Sequence, residues 1–491
     1  PFECLFCKIS IDGKEERLRR LEMLEFLLEK FISPINNFMW TYVLIVLLLG
    51  GGFYFTLRSK FVQIVNIKEM FRLLKKESHP HKKQISSLQA FFIGAASRIG
   101  VGNIAGVALA ISIGGPGAVF WMWVVALLGG ASAFVESTLA QIYKIKDSDG
   151  NFKGGPSYYI QKQLGQRQMG IVFSICLIIT FGFAFNSSQS NTIAASLSAY
   201  QINPILIGLV LSILTLILII GGVQRIAHAT SIIVPIMAFL YIGIGLYVVV
   251  LNITQIPGLI VLIVKSAFGL EQFMGATFGT VLIQGVKRGL FSNEAGMGSA
   301  PNAAAAAFVS HPAKQGFIQT LGVYFDTLVV CSITAFIILL APNYMSGLKG
   351  IELTQVSLTS LIGGWAHEFL VVAIFFFAFS SILGNYFYGE VNVKYISERP
   401  IVLYLYRAGV IAMIFIGSVA SLDFVWTFAD LSMAFMATIN LIAIILLSPI
   451  AFKALKNYVV QRKSGIDPVF YADDIPGLKG VECWKKRNPN I

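Results

Sequence analysis

The sequence predicts an all-α polytopic membrane protein, and three observations carry that prediction. Of 491 residues, 56% are hydrophobic and only 13% charged, where soluble chains run near a quarter charged; the mean hydropathy is +0.74. Apolar stretches of about 20 residues, enough to cross a hydrocarbon core of about 30 Å, recur from Phe38 to near Ile450. These stretches are too long and too continuous for the short alternating strands of an outer-membrane barrel. The length is therefore no argument for two or three soluble domains.

Eleven spans are read in order: 38–57, 87–112, 117–143, 169–198, 204–222, 227–251, 271–291, 317–341, 365–389, 401–420 and 424–450. They divide the chain into an N-terminal extension (1–37), a transmembrane domain (38–450) and a basic C-terminal tail (451–491). Segment 58–85 carries eight Lys and Arg, 144–168 carries five and the tail from 453 carries eight, while alternate loops carry little beyond Lys265 and Lys349. The positive-inside rule puts the rich segments in the cytoplasm of a cell whose plasma or inner membrane holds the protein. The C-terminus is then inside and, with an odd span count, the N-terminus outside. The run "KEERLRR" fits translocation badly, so the expected translation start is Met23, with residues 1–22 upstream of it. A net charge of +12 reports this topology rather than nucleic-acid binding. The tail is expected to be solvated along the lipid surface.

Two spans carry interruptions. In "SRIGVGNIAG", Gly100 and Gly102 straddle Val101 and Asn103 follows. Inside a bilayer every backbone group needs a partner, so a glycine-loosened turn survives only against protein or a watery cavity. Such a turn offers carbonyls to a cation and N–H groups to a carboxylate. The alternative is close packing through small residues; Asn103 and Arg98 argue against it, since each is costly in hydrocarbon unless it faces the interior. A second break is read at "FMGATFGT", Phe273 to Thr280, where Gly275 and Gly279 flank Ala276, Thr277 and Phe278. Five spans separate the two, which suggests repeats of spans 2–6 and 7–11, each opening on a broken helix. Periodicity names no substrate.

The strings "GNIAGVALAISIGGPGAVFWMW", "GVKRGLFSNEAGMGSAP", "FDTLVVCSIT" and, near the end, "GLKGVECW" resemble those of the alanine or glycine:cation symporter family, the sodium:alanine symporters. The resemblance runs from about Phe38 through the tail. It implies a leucine-transporter-like (LeuT-like) fold of 5+5 inverted repeats plus one extra N-terminal helix, and uptake of alanine or glycine driven by sodium. By matched position, the substrate's α-carboxylate meets backbone N–H groups of Gly100, Val101 and Gly102 and the amide of Asn103. Gln189, in "NSSQSN", matches a polar pocket position, and Met274, Gly275 and Phe278 would line the pocket from the seventh span. Sodium would take the carbonyls of Ala96 and Ile99 and the hydroxyls of Ser380 and Ser381, an oxygen-only set suited to a hard cation. Adjacent serines in a lipid helix also bond back to their own backbone.

Two positions depart from the family pattern: Arg98 stands where a small or hydroxylated residue is usual, and Asn385 where tryptophan is usual. Asn385 enlarges the pocket and makes it more polar. Arg98 is expected to pair with an embedded carboxylate such as Glu136 or Asp326; otherwise it replaces a cation or holds an acidic substrate side chain. "SNEAGMGSAP" is read as a tight cytoplasmic turn, with Lys287 and Arg288 serving topology. Asp430 is a candidate proton gate and Asp423 a helix cap. Five scattered cysteines, with only Cys4 and Cys7 at CxxC spacing, make neither a zinc site nor a disulfide framework. No nucleophile–base pair or phosphate loop is present, so no enzyme is expected. The reading is a sodium-coupled symporter of small neutral amino acids. The alternatives are a proton-coupled or cation-independent exchanger, and a non-transporting amino-acid sensor whose tail docks a partner.

Overall fold

A computed structural model describes residues 30, 32–75, 84–147, 150–269, 277–342 and 344–485. Among them, eight helices are long and apolar enough to cross a membrane: α1 (Ser33–Arg58), α5 (Gly117–Ile142), α7 (Arg167–Ser196), α9 (Gly222–Leu251), α13 (Pro312–Leu340), α15 (Trp365–Ile396), α16 (Pro400–Val419) and α17 (Leu422–Lys463). A ninth span is a bent pair, α3 (Ser87–Arg98) and α4 (Gly102–Gly114), whose axes differ by 48°. The protein is a polytopic helical membrane protein. Shorter helices fill the set: α2 (Ile67–Lys75), α6 (Pro156–Leu164), α8 (Pro204–Ile219), α10 (Ile256–Ala267), α11 (Phe278–Asn293), α12 (Ala300–Ala306) and α14 (Gly350–Ile362). The only sheet among the described residues is a hairpin of two two-residue strands, β1 (Ile145–Lys146) and β2 (Phe152–Lys153).

Small residues let these helices approach. α5 is the hub, touching α1, α11, α12, α13 and α17. A Cβ on its Gly129 would lie 2.8 Å from the Ala295 methyl, and one on Gly417 of α16 would lie 2.5 Å from the Ser187 backbone of α7. In hydrocarbon there is little hydrophobic force between helices, so close backbone approach and dispersion hold such pairs. The outward faces of α8, α9 and α16 stay apolar and exposed, as lipid-facing surface requires: Phe239 is 78% exposed. The two halves of the bent span sit among different neighbours, α3 against α9, α12 and α15, α4 against α5, α11 and α14.

The C-terminal segment is not the solvated tail read from sequence. α17 continues to Lys463, well past residue 450, and residues 464–485 then fold back as a strap. The Phe470 N–H donates to the Ser310 carbonyl (3.0 Å), Trp484 Nε1 to the Gln141 carbonyl (2.9 Å), and Lys314 pairs with Asp467 at 3.0 Å. Phe470 and Ile475 are buried, so apolar burial fastens the strap where charge pattern alone suggested a free tail. Residues 1–22, including the Cys4–Cys7 pair, lie outside the described residues.

Candidate functional site

The broken span is the centre of the site. Ile99 (φ −80°, ψ 81°) turns the chain out of α3, and the helix resumes at Gly102. The Gly100 N–H donates to Asn103 Oδ1 (3.0 Å), and the Val101 N–H donates to Gln189 Oε1 of α7 (3.2 Å). Both donors thus face side-chain oxygens in a fully protein-lined interior. The glycines are required by contact: a Cβ on Gly100 would come within 2.2 Å of Ser381 Oγ, and one on Gly102 within 2.8 Å of the Phe291 ring. The break is therefore pressed between α15 and α11, as an irregular backbone in a bilayer must be.

The expected cation ligands divide. Ser381 Oγ donates across to the Ala96 carbonyl at 2.7 Å and also approaches its own Phe377 carbonyl at 3.0 Å. Ser380 Oγ bonds only to Phe377 O, the back-bonding open to any helical serine. Ala96, Ile99 and Ser381 are brought together at the end of α3; Ser380 sits one position away.

Of the second interruption read at 273–280, residues 273–276 lie outside the described residues. Thr277 caps α11, which then runs unbroken from Phe278 to Asn293. Glu294 (φ 58°), Gly296 (φ 84°) and Gly298 (φ 90°) form a left-handed turn before α12 begins at Ala300. Glu136 of α5 accepts from the Gly296 and Gly298 N–H groups (3.1 Å each) and from Asn440 Nδ2 (2.8 Å). Glu294 accepts from Ser97 (2.6 Å) and Ser299 (2.6 Å), which ties this turn to the first break. "SNEAGMGSAP" is accordingly a buried turn at the heart of the molecule. The missed signal was its Gly296-Met297-Gly298, the same G-x-G pattern as Gly100-Val101-Gly102.

Of the three pocket residues expected from this span, Phe278 alone is among the described residues. Met274 and Gly275 lie outside the described residues. Phe278 opens α11, half-exposed and edge-on to Trp121, and 13 residues, about 20 Å of helix, separate it from Phe291. Phe291 and Ser292 are what α11 presents to Gly102. Phe291 stacks between Phe185 (centroids 4.3 Å apart) and Trp426 (4.8 Å). Asn103 Nδ2 donates to Asp326 Oδ1 (2.6 Å), whose Oδ2 accepts from Ser292 (2.6 Å) and Thr327 (2.9 Å). Asn385 Oδ1 lies 2.7 Å from the Ser97 hydroxyl, and its Nδ2 donates to Asn186 Oδ1 at 3.1 Å. Gly100 and Val101 thus meet Asn103 and Gln189 directly, and Asn385 joins Ser97 in the last turn of α3.

A broken helix whose backbone donors meet side-chain oxygens, with a hydroxyl–carbonyl contact beside it, suits a carrier. Residues 25–472 match the sodium:alanine symporter family. The amino-acid carrier protein AlsT of Bacillus subtilis is 54% identical over 94% of this chain and 99% of its own. The probable sodium/glutamine symporter GlnT of the same organism is 51% identical over 93% of this chain and 96% of its own. The sodium/alanine symporter AgcS of Methanococcus maripaludis is 39% identical over 88% of this chain and 98% of its own. The chain belongs to the sodium:alanine symporter family. It is a sodium-coupled amino-acid symporter and not an enzyme, as the sequence reading expected.

In this symporter Arg98 forms no ion pair among the described residues. It is 2% exposed; Nη1 reaches the Gln319 carbonyl only at 3.4 Å, and Nε and Nη2 find no partner among the described residues. Glu136, Glu294 and Asp326 are each bound by hydroxyl, amide or backbone donors instead. Gly322 leaves it room: a Cβ there would lie 2.4 Å from Nη1. Lys287 and Arg288, read as serving topology, have a partner inside the protein. Both are buried in α11 and both engage Asp430 of α17, Lys287 at 3.3 Å, while Arg288 also stacks 4.7 Å from the Trp426 ring. Asp430 is thereby an ion-pair partner.

Proposed function

We propose that this symporter takes up small neutral amino acids, alanine or glycine among them, by alternating access around the two breaks. The α-carboxylate takes the Gly100, Val101 and Gly102 backbone donors together with Asn103, displacing the side-chain oxygens of Asn103 and Gln189 that occupy the first two. Gln189 then turns its amide to the ligand. Sodium takes the Ala96 and Ile99 carbonyls with Ser381 and Ser380. Because ion and carboxylate meet opposite faces of one three-residue break, each favours the conformation the other binds, and the coupling is reciprocal.

Phe291, Trp426 and Phe185 limit the apolar side of the pocket. The Asn385–Asn186 pair gives it a polar end that fits an uncharged hydrogen-bonding side chain, so a carboxamide such as glutamine belongs in the substrate range. This fits the name of the B. subtilis relative GlnT. The architecture we infer is LeuT-like: eleven spans, two inverted five-span repeats opening on α3/α4 and α11/α12, with α1 added. The domain limits are 1–37, 38–450 and 451–491, with the basic loops and the C-terminus cytoplasmic and the bilayer as solvent. The observation that carries the reading is the pair of N–H groups at Gly100 and Val101 beside the Ser381–Ala96 contact.

The test is uptake of labelled alanine, glycine, glutamine and aspartate into proteoliposomes under a sodium gradient, a proton gradient and none. Alanine, glycine and glutamine should enter with sodium only, and aspartate should not. Sodium-independent flux overturns the coupling, and failure of glutamine to compete with alanine overturns the polar end of the pocket.

A further inference from the structure

A cavity of about 560 Å³ lies between α2, α3, α9 and α13 and opens beside the outward-facing Phe239. Its walls are apolar throughout: Phe91, Ala95 and Ile99 form the floor, Ala238 and Phe239 one side and Leu328 the other. Pro235 lies inside α9 at this level, where it removes one helical hydrogen bond. The floor includes Ile99, the residue at which the transport helix breaks.

Its rim is α2, and this short helix sorts its residues by face. Met70 and Leu73 are buried in the protein. Ile67, Phe71 and Leu74, at i, i+4 and i+7, line the cavity. Lys68, Arg72 and Lys75 repeat the same spacing one residue on and form a basic stripe beside it. Arg72 is committed to Glu69 at 2.6 Å, while Lys68 and Lys75 are exposed. An amphipathic helix with a basic edge over an apolar groove complements a ligand with a negative head and a hydrocarbon tail.

We propose that this groove binds one anionic phospholipid of the surrounding bilayer, with an acyl chain on Phe91, Ala95 and Ile99 and its headgroup at Lys68 and Lys75. The bilayer supplies the ligand at the depth where the groove opens, and the two lysines select its charge. The occupant therefore touches the hinge of the broken helix directly.

Full-length Phe239→Trp protein in proteoliposomes tests this, with wild-type fluorescence as the blank and Ile213→Trp, on the open face of α8, as the control. Brominated phosphatidylglycerol should quench the tryptophan introduced in α9 with roughly five- to tenfold preference over brominated phosphatidylcholine. The control should show no preference. The preference should fall to near one in Lys68→Gln/Lys75→Gln and persist in Lys68→Arg/Lys75→Arg. Equal quenching by both lipids, or preference unchanged by the Gln pair, overturns the site. Absence of quenching by either lipid also overturns it, because protein then covers the groove.

Discussion

Ser381 reaches across to the Ala96 carbonyl, whereas its neighbour Ser380 bonds back to Phe377 of its own helix. Ser381→Ala should accordingly raise the half-saturating sodium concentration by about tenfold, the scale of one hydrogen bond to a charged group, and Ser380→Ala should raise it less. Sodium titration of alanine uptake checks the order. Asn103→Ala removes the partner of both Gly100 N–H and Asp326, and substrate binding should be lost at any attainable alanine concentration; calorimetric titration measures it. Arg98→Ala removes a buried cation packed against Gly322 and the Gln319 carbonyl, so it should destabilise by about 3 kcal/mol or more in detergent melts, with Arg98→Lys recovering part. At this scale the sequence was readable where chemistry forces the residue type. Gly100, Gly102 and Asn103 stand out because a glycine pair followed by an amide is unusual in an apolar helix, and the chain does break there. The partner of Arg98 was not readable, since a contact to the backbone carbonyl of Gln319 leaves no spacing rule along the chain.

Among the elements, the long helices were legible from hydropathy alone, because lipid demands one continuous apolar run per crossing. The buried turn at Glu294 to Gly298 was not: in one dimension its glycines at 296 and 298 look like those at 275 and 279, and only the contacts to Glu136 and Ser97 mark it. Asp430 joins α17 to α11 through Lys287 and Arg288, so Asp430→Asn leaves two buried cations short of a counter-charge. A loss of about 3–5 kcal/mol is expected, readable as a lower melting temperature. The strap adds a pH dependence. His311 accepts the Ala313 N–H on Nδ1 and faces Asn457 with Nε2, a neutral-ring arrangement under Phe470 and Tyr458. Burial foremost, with the Lys314 charge adding, pushes its pKa down to about 3 against the Asn457 contact. The unfolded segment binds a proton below about 6.5, so strap docking is at full strength above that and weakens as pH falls towards 3. Trp484 emission should shift red across that window, and Phe470→Ala should undock the strap already at neutral pH.

For the whole molecule, a symporter has to complete half of every cycle without cargo. The Gln189 and Asn103 oxygens on the break mean that loading exchanges one acceptor for another, and unloading gives the helix its own partners back. Bare backbone dipoles in a low-dielectric interior would otherwise stall the unloaded protein on the side where it released its ligand. Gln189→Ala should for that reason slow net uptake more than alanine–alanine exchange, in which the protein never travels unloaded. Comparing the two fluxes in the same proteoliposomes separates them. Tight grip on the amino acid and quick return for the next one then become two settings of a single glutamine, and a variant that improves one should be expected to spoil the other.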